Sequence, residues 1–377
     1  MQSVSEDIDA LITELNASSG SRTGEGVLRV ESLLTEVIAR HGSDLLLVAG
    51  SPPSVRVNGV IARLDGPVLD GVDVEEAVVP LLPPHARKQF QQGGIADASL
   101  RLPGLGRFRV NLHRERGRGA AAIRVLPPRV PKIAELGLPA EVEVLSTLTR
   151  GLVLIGGATG AGKTTTLAAL VDDINRRDAR HIITVEDPIE YEHLHDRCIV
   201  EQVEIGSDAP DFPTALRSAV RQAPDVLVIG EMRDHESMRI ALSAAETGHL
   251  VFSSLHTTDI ASTIARLCDS FPNERQNTIR QELSLALSAV MTQTLIARTS
   301  GGRTPAVELL MVSYGARQHI RKNALQHLHQ EMSLTRKQGS LTLEESLGRL
   351  VKAGVISRSD AMTHAAHQEE LESILRG

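Results

Sequence analysis

Apolar positions change their spacing several times along the chain, and the changes divide it into segments. Ile8, Leu11, Ile12 and Leu15 recur at helical intervals, and a polar Ser/Gly-rich stretch over 16–26 follows, so a short appended helix on a tether is expected. Val30, Leu33, Leu34, Val37 and Ile38 then fall at i, i+3, i+4, i+7 and i+8, predicting a helix to about residue 40 with Gly42 as its terminator. From Asp44 the period shortens. Val55, Val57 and Val60 flank Asn58-Gly59, a strong hairpin signal, and 107–112 alternates as a strand before a basic loop at 113–118 and a further strand at 120–126. An α+β domain on an antiparallel sheet follows from this pattern. Pro127, Pro128 and Pro131 favour an extended linker, and the domain boundary is expected there. The segments are therefore 1–27, 28–127, a linker at 128–137, 138–275 and 276–377.

Beyond the linker, strand patterns at 152–156, 181–185, 225–229 and 250–254 alternate with helical patterns at 163–175, 214–221 and 237–245. This is the rhythm of a parallel α/β sheet. Past Gln276 the pattern turns largely helical, with Leu283, Leu287, Val290, Leu295 and later Leu343, Leu347 and Leu350 as core stripes. The expected architecture is a RecA-like α/β core with a helical C-terminal subdomain.

Composition narrows the class. At 377 residues the chain has room for two or three domains. No run approaches the ~18 apolar residues of a membrane span, and the acidic start over 1–16 is not a secretory leader. Cys198 and Cys268 are far apart and outside any C-x-x-C pattern, so buried thiols in a reducing compartment are expected, without a zinc site or a disulfide. The net charge of -7 and the absence of Trp argue against a nucleic-acid groove and for protein partners.

The chemistry is concentrated in the second half. Gly157-Ala158-Thr159-Gly160-Ala161-Gly162-Lys163-Thr164 fits G-x-x-x-x-G-K-[ST] between a strand and a helix, the required setting of a phosphate-binding loop. Glycines let backbone amides surround the phosphates, Lys163 reaches the β- and γ-phosphates, Thr164 offers a hydroxyl to Mg²⁺, and Thr165 continues into the helix. Hydrolysis also needs a metal-side carboxylate and a group that orients or deprotonates water. Glu231 emerges at the end of the apolar run 226–229, and the acidic loop Glu186-Asp187-Pro188-Ile189-Glu190 follows another strand. No lysine is followed two places later by Asp, so the guanine-reading motif is absent and ATP is favoured over GTP. His249 and His256 bracket the strand at 250–254, where they could couple phosphate state to loop movement. Competing classes are a nucleic-acid motor on the same core and a switch that binds ATP without turnover.

Taken in order, these motifs resemble those of the type IV pilus retraction ATPases of the PilT/PilU type, within the type II/IV secretion superfamily of hexameric ATPases. Residues 157–164 match the Walker A loop, 183–190 the Asp box, 229–234 the Walker B region and 246–256 the His box. The resemblance implies a PAS-like domain over about 28–127, Glu190 as the catalytic base, Glu231 as the Walker B carboxylate on Mg²⁺, and His249 and His256 as His-box residues. The stretch Ala316-Arg317-Gln318-His319-Ile320-Arg321 resembles the family's retraction motif. A homohexamer at the cytoplasmic face of the inner membrane is implied, contacting an integral platform protein, with paralogous ATPases as further partners. Extension and secretion members carry a tetracysteine element that this chain lacks, which favours retraction. The arginine-rich stretch with Arg109 and Arg124 is expected to face a nucleotide, its own or a neighbour's, with Arg221 and Arg233 competing for that role.

Overall fold

A computed structural model describes residues 28–377, so the helix and tether expected before residue 28 lie outside the described residues. The chain divides into two compact units, one ending at Leu126 and one beginning at Pro127.

The first unit opens with α1 (Val30–Ala39), which buries Val30, Leu34 and Val37. Gly42 is not in a left-handed conformation; that role falls to His41 at φ 53°. What requires glycine at 42 is close packing, since a Cβ there would come within 2.5 Å of Val55 Cγ2. The strands β1 (Asp44–Val48), β2 (Ser54–Val57) and β3 (Val60–Arg63) follow, then α2 (Gly71–Val78), α3 (Pro84–Gly93), β4 (Ile95–Leu102), β5 (Gly106–Glu115) and β6 (Arg118–Val125). They form one antiparallel sheet in the order β3-β2-β1-β6-β5-β4. Asn58 and Gly59 make the expected tight turn, with φ of 50° and 83°. The expected basic loop at 113–118 is instead a second such hairpin: β5 and β6 run on to Glu115↔Arg118, leaving only Arg116 and Gly117 in the turn. Leu45, Leu47, Phe90, Val110, Leu112 and Ile123 lie in its core.

In the second unit β7 (Gly151–Gly156), α4 (Lys163–Arg177), β8 (His181–Glu186), β9 (Ile199–Glu204), α5 (Phe212–Ala219), β10 (Val226–Ile229), α6 (His235–Glu246) and β11 (Leu250–Leu255) alternate as expected. Helices α7 (Ile260–Asp269) and α8 (Asn273–Ala286) come next. Leu287, Val290 and Leu295, read from their spacing as a helical stripe, lie instead in β12 (Leu287–Ala297), which pairs antiparallel with β13 (Arg303–Met311). The sheet order is β13-β12-β7-β11-β10-β8-β9, parallel except for β13. A strand buried on both faces carries a continuous apolar run, and over a few residues such a run does not distinguish strand from helix. Alternate side chains serve opposite faces. Leu152, Leu154, Leu227 and Val251 pack with α6, α7 and α8, whereas Val153, Ile155, Val228 and Phe252 pack with Leu167, Leu170 and Ile174 of α4. The chain ends in α9 (Tyr314–Arg321), α10 (Leu328–Leu334), α11 (Leu343–Lys352), α12 (Arg358–His364) and α13 (Gln368–Arg376). Among the described residues no helix is long and apolar enough to cross a membrane.

Candidate active site

Parallel pairing brings three strand ends together. β11 lies between β7 and β10, with Leu255 opposite Gly156 and Ser253 opposite Ile229. The residues that follow β7, β10 and β11 therefore emerge side by side although they are far apart in sequence.

The loop 157–162 leads into α4, whose first amides have no intrahelical acceptor and favour an anion. Its last residue, Gly162, sits at φ 90°, and a Cβ there would come within 2.9 Å of Gln293 Nε2. Gln293 braces the loop from β12: its Nε2 donates to the Ala161 carbonyl at 2.7 Å and its Oε1 accepts from the Thr166 hydroxyl at 2.8 Å. Lys163 is buried, and its Nζ donates to the carbonyls of Gly157 at 2.7 Å and Ala158 at 3.0 Å. Burial holds its pKa below the usual lysine value.

His256 connects this lysine to the end of β10. Its Nδ1 lies 3.3 Å from Lys163 Nζ and its Nε2 lies 3.1 Å from Glu231 Oε2. Arg233 Nε lies against the other Glu231 oxygen. Because an ammonium only donates, Nδ1 accepts and Nε2–H donates to the carboxylate, which makes the ring neutral. Burial first, then the charges of Lys163, Arg266 and Arg233, lower the His256 pKa and favour the same form. The result is a linked row of Lys163, His256, Glu231 and Arg233.

The end of β8 closes the other side. Glu186 lines a small cavity with Thr164, Tyr191, His193 and Gly230. The Thr184 hydroxyl and the Gln202 amide both donate to Glu186 Oε1, at 2.6 and 3.1 Å. Tyr191 pairs with the Thr165 hydroxyl at 3.0 Å, tying the acidic loop to α4. On the other flank of the phosphate loop a cleft of about 440 Å³ is lined by Leu136, Gly162, Thr165, Leu295 and Arg303.

Residues 107–373 match the family described as "Type II/IV secretion system protein". The chain belongs to that family. It is 41% identical over 336 residues to the type IV pilus retraction ATPase PilT of Pseudomonas aeruginosa, covering 88% of this chain and 98% of the relative. Against the type IV pilus ATPase PilU of the same organism it is 36% identical over 350 residues, covering 93% and 92%. The structure of the pilus retraction motor PilT with bound ADP superposes with a TM-score of 0.85 at 40% identity, covering 92% of this chain and 99% of that one. That of the ATPase DotB of Legionella pneumophila superposes with a TM-score of 0.77 at 25% identity, covering 90% and 97%. The protein is thus a P-loop ATPase of the type II/IV secretion family, with the RecA-like α/β core, helical C-terminal part and antiparallel N-terminal domain expected of it.

Within one chain this family's motifs are only partly gathered. Lys163, Thr164, Glu231, Arg233 and His256 come together, whereas His249 precedes β11 and is separated from His256 by a six-residue strand, roughly 20 Å. His249 Nδ1 meets the Ala244 carbonyl at 2.9 Å and Thr247, at the end of α6. Arg221 follows α5 and precedes β10, so it stands at the opposite edge of the sheet from the phosphate loop. Arg109 and Arg124 face each other across β5 and β6 and meet acids of their own sheet: Arg124 Nε donates to Asp44 at 2.8 Å, and Arg109 is 3.9 Å from Asp97. Glu190 is half-buried and is not among the residues that line the cavity with Glu186. Gln293 and Tyr191 are not legible in the sequence, because a single amide in a stretch that reads as helix and a lone tyrosine give no pattern to detect.

Proposed function

We propose that this protein is a ring-forming ATPase motor that powers retraction of a type IV pilus. The observation that carries the reading is the Lys163–His256–Glu231 row across adjacent strand ends, in a chain 41% identical over 88% of its length to a pilus retraction ATPase. In this reading the loop 157–164 cradles the ATP phosphates, and Lys163 leaves the loop carbonyls to follow the γ-phosphate. The cleft beside Leu136, Leu295 and Arg303 takes the nucleoside. The Thr164 hydroxyl and the Glu231 carboxylate offer the oxygen ligands that Mg²⁺ selects; these side chains would hold the ion, which would supply charge neutralisation to the phosphates.

Glu190 serves as the base for the attacking water. A second reading gives that role to Glu186, because Glu186 lines the cavity beside Thr164. His256, hydrogen-bonded at both ring nitrogens, reports Lys163's position to Glu231 and hence to the segment that leads into α6. Arg109, Arg124 and Arg221, with His249 among the histidines, act on a nucleotide held by an adjacent subunit of a homohexamer. The ring works at the cytoplasmic face of the inner membrane against an integral platform protein, with paralogous ATPases as additional partners and no nucleic acid.

The test is a deletion strain complemented with the wild type or with Lys163→Ala. Imaging of surface pili and twitching should find retraction restored by the first and absent with the second. Normal retraction in the deletion strain would end the pilus reading and leave the ATPase intact.

A further inference from the structure

We infer that the C-terminal helices carry a binding site for one transition-metal dication, fitted to Zn²⁺, formed by His329, Glu344, His367 and Glu370. One ligand atom from each of the four lies within 4.8 Å of all the others. His329 is on α10, Glu344 on α11, and His367 precedes α13, on which Glu370 lies one turn further along the same face. His329 Nε2 is 2.7 Å from Glu370 Oε2 and His367 Nδ1 is 3.5 Å from Glu344 Oε1. The two imidazoles stand with centroids 4.0 Å apart at 32°. A single dication between them satisfies both nitrogens and both carboxylates.

Burial sharpens the argument. The Glu344 side chain is only 1% exposed, while its partner His367 is 52% exposed. A carboxylate at that depth needs a compensating charge, and its present partners are an imidazole and the His367 amide, which donates to Glu344 Oε1 at 2.8 Å. The exposed face at His367 gives an ion a route in. Tetrahedral zinc, with bonds of about 2.0–2.2 Å to nitrogen and oxygen, holds its ligands roughly 3.3–3.6 Å apart, so the His367–Glu344 contact already has that spacing, the 2.7 Å His329–Glu370 contact opens slightly, and the widest separations, within 4.8 Å, close by about 1 Å. Two imidazoles and two carboxylates are a donor set for zinc, whereas Mg²⁺ and Ca²⁺ select oxygen alone.

The site spans two packing groups. α10 packs into the main core through Leu328 and Met332, while Leu347 of α11, Ala361 of α12 and Leu371 of α13 form a separate cluster with Ile296 and Ala306. An ion held by α10, α11 and α13 ties those groups together.

The full-length chain, stripped with a chelator and dialysed, is titrated with Zn²⁺ against a chromophoric competitor, and with Co²⁺ read by its visible absorption. One ion per chain is expected, together with the intense bands of tetrahedral cobalt and a raised Tm with zinc. His367→Ala, at the exposed position, and the isosteric Glu370→Gln should each weaken binding at least tenfold, and excess Mg²⁺ should not displace cobalt. Circular dichroism checks that each variant is folded. Absence of stoichiometric binding in the wild type, or binding undiminished in both variants, would leave two histidine–glutamate contacts and overturn the site. None of these readouts depends on ATP turnover or pilus retraction.

Discussion

The arginine hairpin of the first unit and the lysine of the phosphate loop are both basic, but the arginines meet carboxylates and the lysine meets neutral carbonyls. Arg124 pairs with Asp44 at 2.8 Å, Arg114 with Glu75 at 3.1 Å and Arg116 with Glu115 at 2.9 Å, all at partly exposed positions. Pairs of that kind are worth about 0–1 kcal/mol and are screened by salt. Lys163 is instead buried, held by two carbonyls and an imidazole, with burial lowering its pKa. An ammonium so placed has the most to gain from a polyanion. Abundance of positive charge in a sequence is therefore a weaker guide to a phosphate site than where one charge is held and by what.

The largest test of this contrast is Lys163→Ala, which should reduce ATP turnover to background in a phosphate-release assay. Wild-type turnover would erase the distinction between the two regions. Next, Glu231→Gln and Glu190→Gln should keep nucleotide binding and lose turnover by 10²-fold or more, the order expected for a general base. Glu186→Gln measured beside them sharpens the picture: if Glu190→Gln hydrolyses normally and Glu186→Gln does not, the base is the cavity-lining residue. On the other side of the comparison, Arg109→Ala with Arg124→Ala should shift stability by less than ~1 kcal/mol. If these arginines also serve a neighbour's nucleotide, turnover falls by up to about 10²-fold, and unchanged turnover leaves them as surface pairs.

The last test, of stability alone, concerns His193, whose Nδ1 is buried without a hydrogen-bond partner. Burial pushes its pKa down from 6.5 to about 4, so between those values the unfolded chain takes up a proton that the folded chain refuses. Stability therefore rises with pH across that window and is lost as pH falls through it. Denaturant unfolding at a series of pH values should find that His193→Gln flattens this slope, by on the order of 3 kcal/mol across the window. An unchanged slope would mean that the imidazole charges in place.

Glu186 and Glu190 mark where reading the chain stops. Both were visible as acids after a strand, yet which one borders the cavity beside Thr164 depends on how β8 pairs between β10 and β9, a relation between segments distant in sequence. Similarly, Leu287, Val290 and Leu295 of β12 fall at spacings a helix would also give, and its identity as a strand follows from its place against β7. Gln293 was hidden with it. His249 and His256 appear equivalent in sequence, on either side of one strand, but a strand's length sends them to opposite edges of the sheet.

What the sequence determined alone is whatever depends on local covalent neighbours. The loop 157–164 must bend where its glycines permit, Asn58-Gly59 must turn, and alternating strands and helices must stack as a parallel sheet, because backbone geometry and hydrophobic period act within a few residues. Tertiary structure decided which of those pieces meet. The row from Lys163 through His256 to Glu231, and the four-residue cluster at His329, Glu344, His367 and Glu370, exist only because pairing and packing close long loops. Side chains separated by tens of residues have no local energetic term to record their proximity, so their chemistry becomes readable only when the fold brings their atoms within hydrogen-bonding or ligating distance.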